Sequence, residues 1–197
     1  MKTMSFAIVG ALCLAACGDE GGAENPNEVI TTVILNFAPS GGGATKTFTF
    51  NDPDGDGGSA PTIDPVNLTA GMYTLTVQFQ NRLEDPAEEI TDEVRDESVN
   101  HLVLFTGTAV VGPASSNATG PLTQNYADMD ANNLPIGLSN NISAAAGTGT
   151  LTVTLRHMPP EEPPQKASDT LTMVKTGGVD SIGGTTDAQV NFDVTVQ

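Results

Sequence analysis

The amino-acid sequence predicts an all-β domain, an antiparallel immunoglobulin-like β-sandwich carrying one short helix. Three observations lead there. Apolar residues alternate with Thr, Asn and Gln in five segments, clusters of Gly, Pro and Asn separate those segments, and no helical periodicity repeats between them.

The chain opens on a leader. Lys2 supplies one positive charge, an apolar stretch from Phe6 to Leu14 is too short to span a bilayer, and Leu14-Ala15-Ala16-Cys17 closes it. Those four residues resemble the bacterial lipoprotein lipobox, whose cysteine is acylated and becomes the first residue after cleavage. The expected organisation is a lipoprotein signal peptide over residues 1–16, lipidated Cys17 with a flexible tether over residues 17–27, and one domain over residues 28–197. Two or three acyl chains, at about 0.8 kcal/mol per buried methylene, make such an anchor effectively permanent. Gly18 rather than Asp follows the cysteine, which favours the outer membrane of a Gram-negative cell envelope. Cys13 departs with the leader, so no intrachain disulfide can staple the loops.

Strands follow in order. Val29, Thr31, Val33, Leu35 and Phe37 alternate, then Phe48 and Phe50, then Tyr73, Leu75, Val77 and Phe79. The pattern returns in Leu151, Val153 and Leu155, and last in Val190, Phe192, Val194 and Val196. Weaker candidates are Val66 to Leu68, Leu102 to Thr106, Leu122 to Tyr126 and Leu171 to Val174. Residues 107–121, small and nearly uncharged, read as a loop or weak edge strand. Residues 158–164 hold four prolines, which fix φ and remove donors, and read as a rigid spacer ending the preceding strand. The single helix is expected from Asp85-Pro86-Ala87-Glu88, which has the logic of a capping box. Ala87, Ile90 and Val94 would form its apolar stripe, and Glu89, Asp92, Glu93, Asp96 and Glu97 a solvated acidic face.

Charge narrows the partners. With 24 Asp and Glu against 7 Lys and Arg the formal charge is -17, and loss of Lys2 makes it one unit more negative. Nucleic acid is excluded, because a phosphate binder needs a basic footprint, and contact with the membrane is expected through the lipid anchor only. Cations and neutral ligands are favoured.

Two loops are spaced for calcium. Asp52, Asp54 and Asp56 alternate and are followed by Gly57, so that successive carboxylates can converge on a hard cation; Asp64 could reach back as a further ligand. Asp128, Asp130 and Asn132 repeat the spacing, with Asn133 as a left-handed residue where Gly would stand and Ser139 at the twelfth position. The competing reading is that Asp, Asn and Gly are turn residues. Catalytic signals are thin. His101 and His157 read as strand-end histidines, no phosphate loop, nucleophile elbow or Cys-x-x-Cys occurs, and adjacent carboxylates in so acidic a chain select no acid-base pair. The expectation is a protein that is not an enzyme.

The order of segments resembles a family of small bacterial lipoproteins often labelled type 1 periplasmic binding fold superfamily protein. The resemblance runs through Glu28-Val29-Ile30-Thr31-Thr32-Val33, the Asp52 loop, and Leu83-Glu84-Asp85-Pro86-Ala87-Glu88-Glu89-Ile90-Thr91. It continues through Asp128-Met129-Asp130-Ala131-Asn132-Asn133-Leu134-Pro135-Ile136-Gly137-Leu138 and Gly147-Thr148-Gly149-Thr150-Leu151-Thr152-Val153-Thr154-Leu155-Arg156-His157. Asn133 stands where that family usually has Gly, and Asn100 where it has Glu before the histidine. The label implies capture of a solute between two doubly wound α/β lobes; the residue pattern implies a β-sandwich. The expected function is an outer-membrane, lipid-anchored binding or structural module with calcium-ordered loops and a neutral ligand or envelope protein as partner. The alternatives are a periplasmic solute-binding protein and an accessory glycan-active enzyme.

Overall fold

The computed structural model describes residues 29–55, 57–160 and 165–197. The expected signal peptide and tether, with Cys17, and Asp56 of the first Asp loop lie outside them. The described chain is mostly β, in two sheets with two short helices. Its strands are β1 (Thr32–Pro39), β2 (Lys46–Asn51), β3 (Thr62–Ile63), β4 (Val66–Leu68), β5 (Gly71–Asn81), β6 (Glu88–Glu89), β7 (His101–Thr106), β8 (Val110–Val111), β9 (Leu122–Tyr126), β10 (Ser139–Ala144), β11 (Gly147–His157) and β12 (Thr185–Val196). Helix α1 (Ile90–Asp96) lies between β6 and β7, and α2 (Thr170–Gly177) with a 3-10 turn, Val179–Ser181, lies between β11 and β12.

The larger sheet runs β3-β2-β1-β5-β10-β9-β8, with β6 added beside β5, and curls into a half-barrel. The smaller runs β4-β12-β11-β7. Most pairings are antiparallel, as the short turns allow; β4 beside β12 and β8 beside β9 are parallel. Alternation decides which face is dry. Val33, Leu35 and Phe37 of β1 and Tyr73, Leu75, Val77 and Phe79 of β5 point inward to meet Val153, Val190, Phe192 and Val194 of the smaller sheet in one core. Phe37 packs edge-on against Phe48 and Tyr73, with ring centroids 5.9 and 6.1 Å apart. Each fully buried Phe or Leu in that layer contributes about 1.5–3 kcal/mol relative to exposure.

Strand β7 is dry on both faces, which explains its unbroken run Leu102-Val103-Leu104-Phe105. Val103 and Phe105 join the main core, whereas Leu102 and Leu104 face a second cluster with Met158, Val174 and Ile182. Helix α2 supplies Val174 to that cluster and corrects the strand expected at Leu171 to Val174. Four apolar-rich residues fit either period, and the stop signal was Gly177-Gly178: Gly178 has φ 80° and its N–H returns to Val174.

The other helix starts later than expected. Residues 85–89 do not form its first turn, because Glu88 and Glu89 pair with Asn81 and Gln80 as β6 and Ala87 is exposed. Ile90, Thr91 and Val94 are its buried residues, and Ile90 and Val94 are the ones that the expected stripe named. Thr91 fastens it to β5: its hydroxyl accepts the Phe79 N–H at 2.8 Å and donates to the Phe79 carbonyl at 3.2 Å.

Candidate functional site

The first Asp loop connects β2 to β3. Asp52 Oδ1 accepts the Asp54 N–H at 3.4 Å and Asp54 Oδ2 accepts the Ser59 N–H at 3.1 Å. The Ser59 N–H, and after it the Ser59 hydroxyl, holds Asp54 below the usual carboxylate range. Asp54 Oδ1 is shielded from solvent with no donor on it among the described residues, which leaves an oxygen suited to a hard cation. A Cβ at Gly57 would run into the Asp54 carboxylate, so this closure requires glycine there. Asp64 is engaged on the strand ladder. Its Oδ2 accepts the Thr49 N–H at 2.9 Å and its own N–H donates to the Thr49 carbonyl, extending the β2–β3 ladder. Three ladder steps, about 10 Å at ~3.3 Å per residue, separate it from Asp52.

The second Asp loop satisfies itself. Asp128 Oδ1 and Oδ2 accept the N–H groups of Gly137 and Ser139 at 2.8 and 2.9 Å, and Asp130 Oδ1 accepts those of Asn132 and Leu134 at 2.8 and 2.9 Å. Asn133 has φ 59°, the left-handed conformation its position required. The cation here belongs to the protein: Lys166 Nζ sits 2.9 Å from Asp130 Oδ2, with both side chains buried. Lys166 also donates to the Ser98 and His101 carbonyls at 2.9 Å each. Burial opposes ionisation of Asp130, but the ammonium and the two N–H groups outweigh it and hold its pKa below the usual carboxylate range. Burial pulls Lys166 downward, against the attraction of Asp130. Asp128, Asp130 and Asn132 therefore close a turn onto a lysine, and the exposed Asn132 contributes through its backbone.

Lys166 leads to a polar cluster that spacing along the chain concealed. His101 opens β7 and His157 ends β11, and the two are register partners. Their rings stack with centroids 4.6 Å apart and planes 12° from parallel. His101 Nδ1 lies 3.2 Å from the Glu97 carbonyl. Burial lowers the His101 pKa to about 4, helped by the charges of His157 and Lys166 and opposed by that carbonyl, so its ring is neutral at pH 7. Among the described residues, Glu97, His101 and His157 are the group of three whose ligating atoms all lie within 4.8 Å of one another. Beside them Arg156 Nη2 donates to the Gly183 and Gly184 carbonyls at 2.7 Å and to the Ile182 carbonyl at 3.3 Å. The bulge between Leu155 and Arg156 leaves Asp187 outside the pairing; burial raises its pKa to about 6 against the pull of His157 and Arg156.

No family model, curated protein or solved structure matches this chain. A sequence signal for the cluster existed: Glu97 and His101 are four residues apart beyond a helical segment. Its third member, 56 positions further on, enters only through the β7–β11 register.

Proposed function

We propose that this chain is a lipid-anchored binding or structural module of the outer membrane without a catalytic role. The observation that carries the reading is Leu14-Ala15-Ala16-Cys17 at the end of a short apolar leader, with a polar stretch before a mostly β body. An immunoglobulin-like sandwich is the finer form of that body, resting on the antiparallel layers β1-β5-β10 and β7-β11-β12. Its partner is a neutral ligand or an envelope protein. An open depression of about 490 Å³ supports this: Thr76, Gln78 and Ser139 offer uncharged polar groups beside Val77, Ile136 and Leu138, and its two charged lining residues, Arg95 and Asp128, are of opposite sign. A glycan-active enzyme is disfavoured there, since a pair of carboxylates is needed and the one lining carboxylate, Asp128, already accepts two backbone N–H groups. Calcium, on this reading, belongs to the Asp52–Asp54–Asp56 loop and not to the loop that Lys166 fills.

Two outcomes are expected. Full-length protein made in a Gram-negative host incorporates labelled fatty acid and fractionates with the outer membrane, whereas Cys17→Ser does neither; labelling that survives the substitution would sink the anchor. Millimolar calcium raises the melting temperature, and Asp54→Ala with Asp56→Ala abolishes the rise while Asp128→Asn keeps it. An unchanged melting temperature for the native sequence removes calcium from the proposal.

A further inference from the structure

We propose that Glu97, His101 and His157 form a binding site for a borderline divalent transition ion, zinc being the natural occupant. Two imidazoles and a carboxylate are the donor set that zinc favours over calcium or magnesium, which take oxygen ligands. Three structural features carry the assignment. The ligating atoms already lie within 4.8 Å of one another. His101 is fully buried at the start of β7 and its Nδ1 faces the Glu97 carbonyl at 3.2 Å. A proton on Nδ1 held by that carbonyl makes Nε2 the basic nitrogen and fixes the ring's orientation, as a carbonyl on the far nitrogen commonly does for a metal-binding histidine. The site is also reachable, because Glu97 is exposed and His157 retains 9% of its surface.

Closure asks for a small movement. Bonds of about 2.0–2.1 Å at tetrahedral angles put two ligand atoms roughly 3.3 Å apart, so the group must contract by on the order of 1 Å. Near-parallel rings also aim their lone pairs along parallel planes, so one ring must turn. His157, the outer of the two, is the ring that can move; His101 is held by the core. Glu97 lies just past α1 and swings in from solvent. Three protein ligands leave a fourth position for water or an incoming group. The nearby Lys166 charge is already balanced by Asp130, and Asp187 adds a further carboxylate whose field reaches His157.

The test is titration of the full chain, purified in detergent without a polyhistidine tag, with zinc alone by calorimetry, and with cobalt(II) read by its visible absorption. One zinc per chain is expected, undisturbed by millimolar calcium or magnesium. His157→Ala and Glu97→Gln, both at the accessible edge, should each weaken it by at least about tenfold. Their melting temperatures without metal certify folding, which the buried His101 could not offer. Absence of zinc binding overturns the proposal. So does zinc binding that both variants retain at native affinity, which would place the ion on other carboxylates.

Discussion

Lys166→Met is expected to destabilise the folded protein by about 3–5 kcal/mol, the range for breaking a buried ion pair from one side. The ammonium holds three groups at once: the Asp130 carboxylate and the Ser98 and His101 carbonyls. Without it a buried carboxylate faces no cation, and the turn after α1 loses its link to the Asp128–Asn133 loop. Asp130→Asn should cost a similar amount. It keeps an oxygen for the Asn132 and Leu134 N–H groups but strands the ammonium. The double substitution should cost less than the two single losses added, since an uncharged pair carries no stranded charge. Acid provides an independent check. The folded pKa of Asp130 is depressed, so the pair's contribution is present above the unfolded carboxylate pKa of about 4 and is lost as pH falls through the folded value. The native advantage over Lys166→Met should therefore shrink toward pH 3 in urea titrations. Additive single losses with no pH dependence would mean that the pair is ornamental.

That pair also shows where a sequence stops being readable. Asp128, Asp130 and Asn132 have the spacing of a cation loop, and the geometry it demanded is present down to the positive φ of Asn133. What fills the loop is Lys166, more than thirty residues away, which no local spacing could name. Strands were legible because one wet and one dry face impose period two, as in Val33, Leu35 and Phe37. Strand β7 was faint for the opposite reason: a second cluster makes Leu102 and Leu104 as dry as Val103 and Phe105, which erases the alternation. Helix α2 leaves a faint signal because only Thr170 and Val174 are buried, too few to impose a helical period on eight residues. Asp64 is turned toward Thr49 by its place beside the β2–β3 ladder, a partner that spacing along the chain does not name. The histidines became a pair only once two strands had aligned them.

Arg156→Met is the other large effect expected, a loss of about 3 kcal/mol, in line with ~1–3 kcal/mol for each buried acceptor left without its donor. The tight return from the 3-10 turn into β12 brings Gly184, with φ 79°, so close to the His157 carbonyl that a Cβ there would collide. This path turns the Ile182, Gly183 and Gly184 carbonyls toward one point, and the Arg156 guanidinium answers all three while Nη1 donates to Thr186 at 2.7 Å. Arg156→Lys should restore little, since a single ammonium cannot reproduce the planar fork. The loss should also grow with pH. Asp187 has a folded pKa of about 6, above its unfolded value, so its stabilising contribution is full below pH 4 and is lost as pH rises through 6. Arg156 is one of the charges that limits that rise. Removing it pushes the Asp187 pKa higher and extends the loss toward neutrality, so the gap between native and Arg156→Met stability should be wider at pH 8 than at pH 5. Asp187→Asn in the same background should flatten that difference. If the gap is equal at both pH values, Arg156 acts through the carbonyls alone.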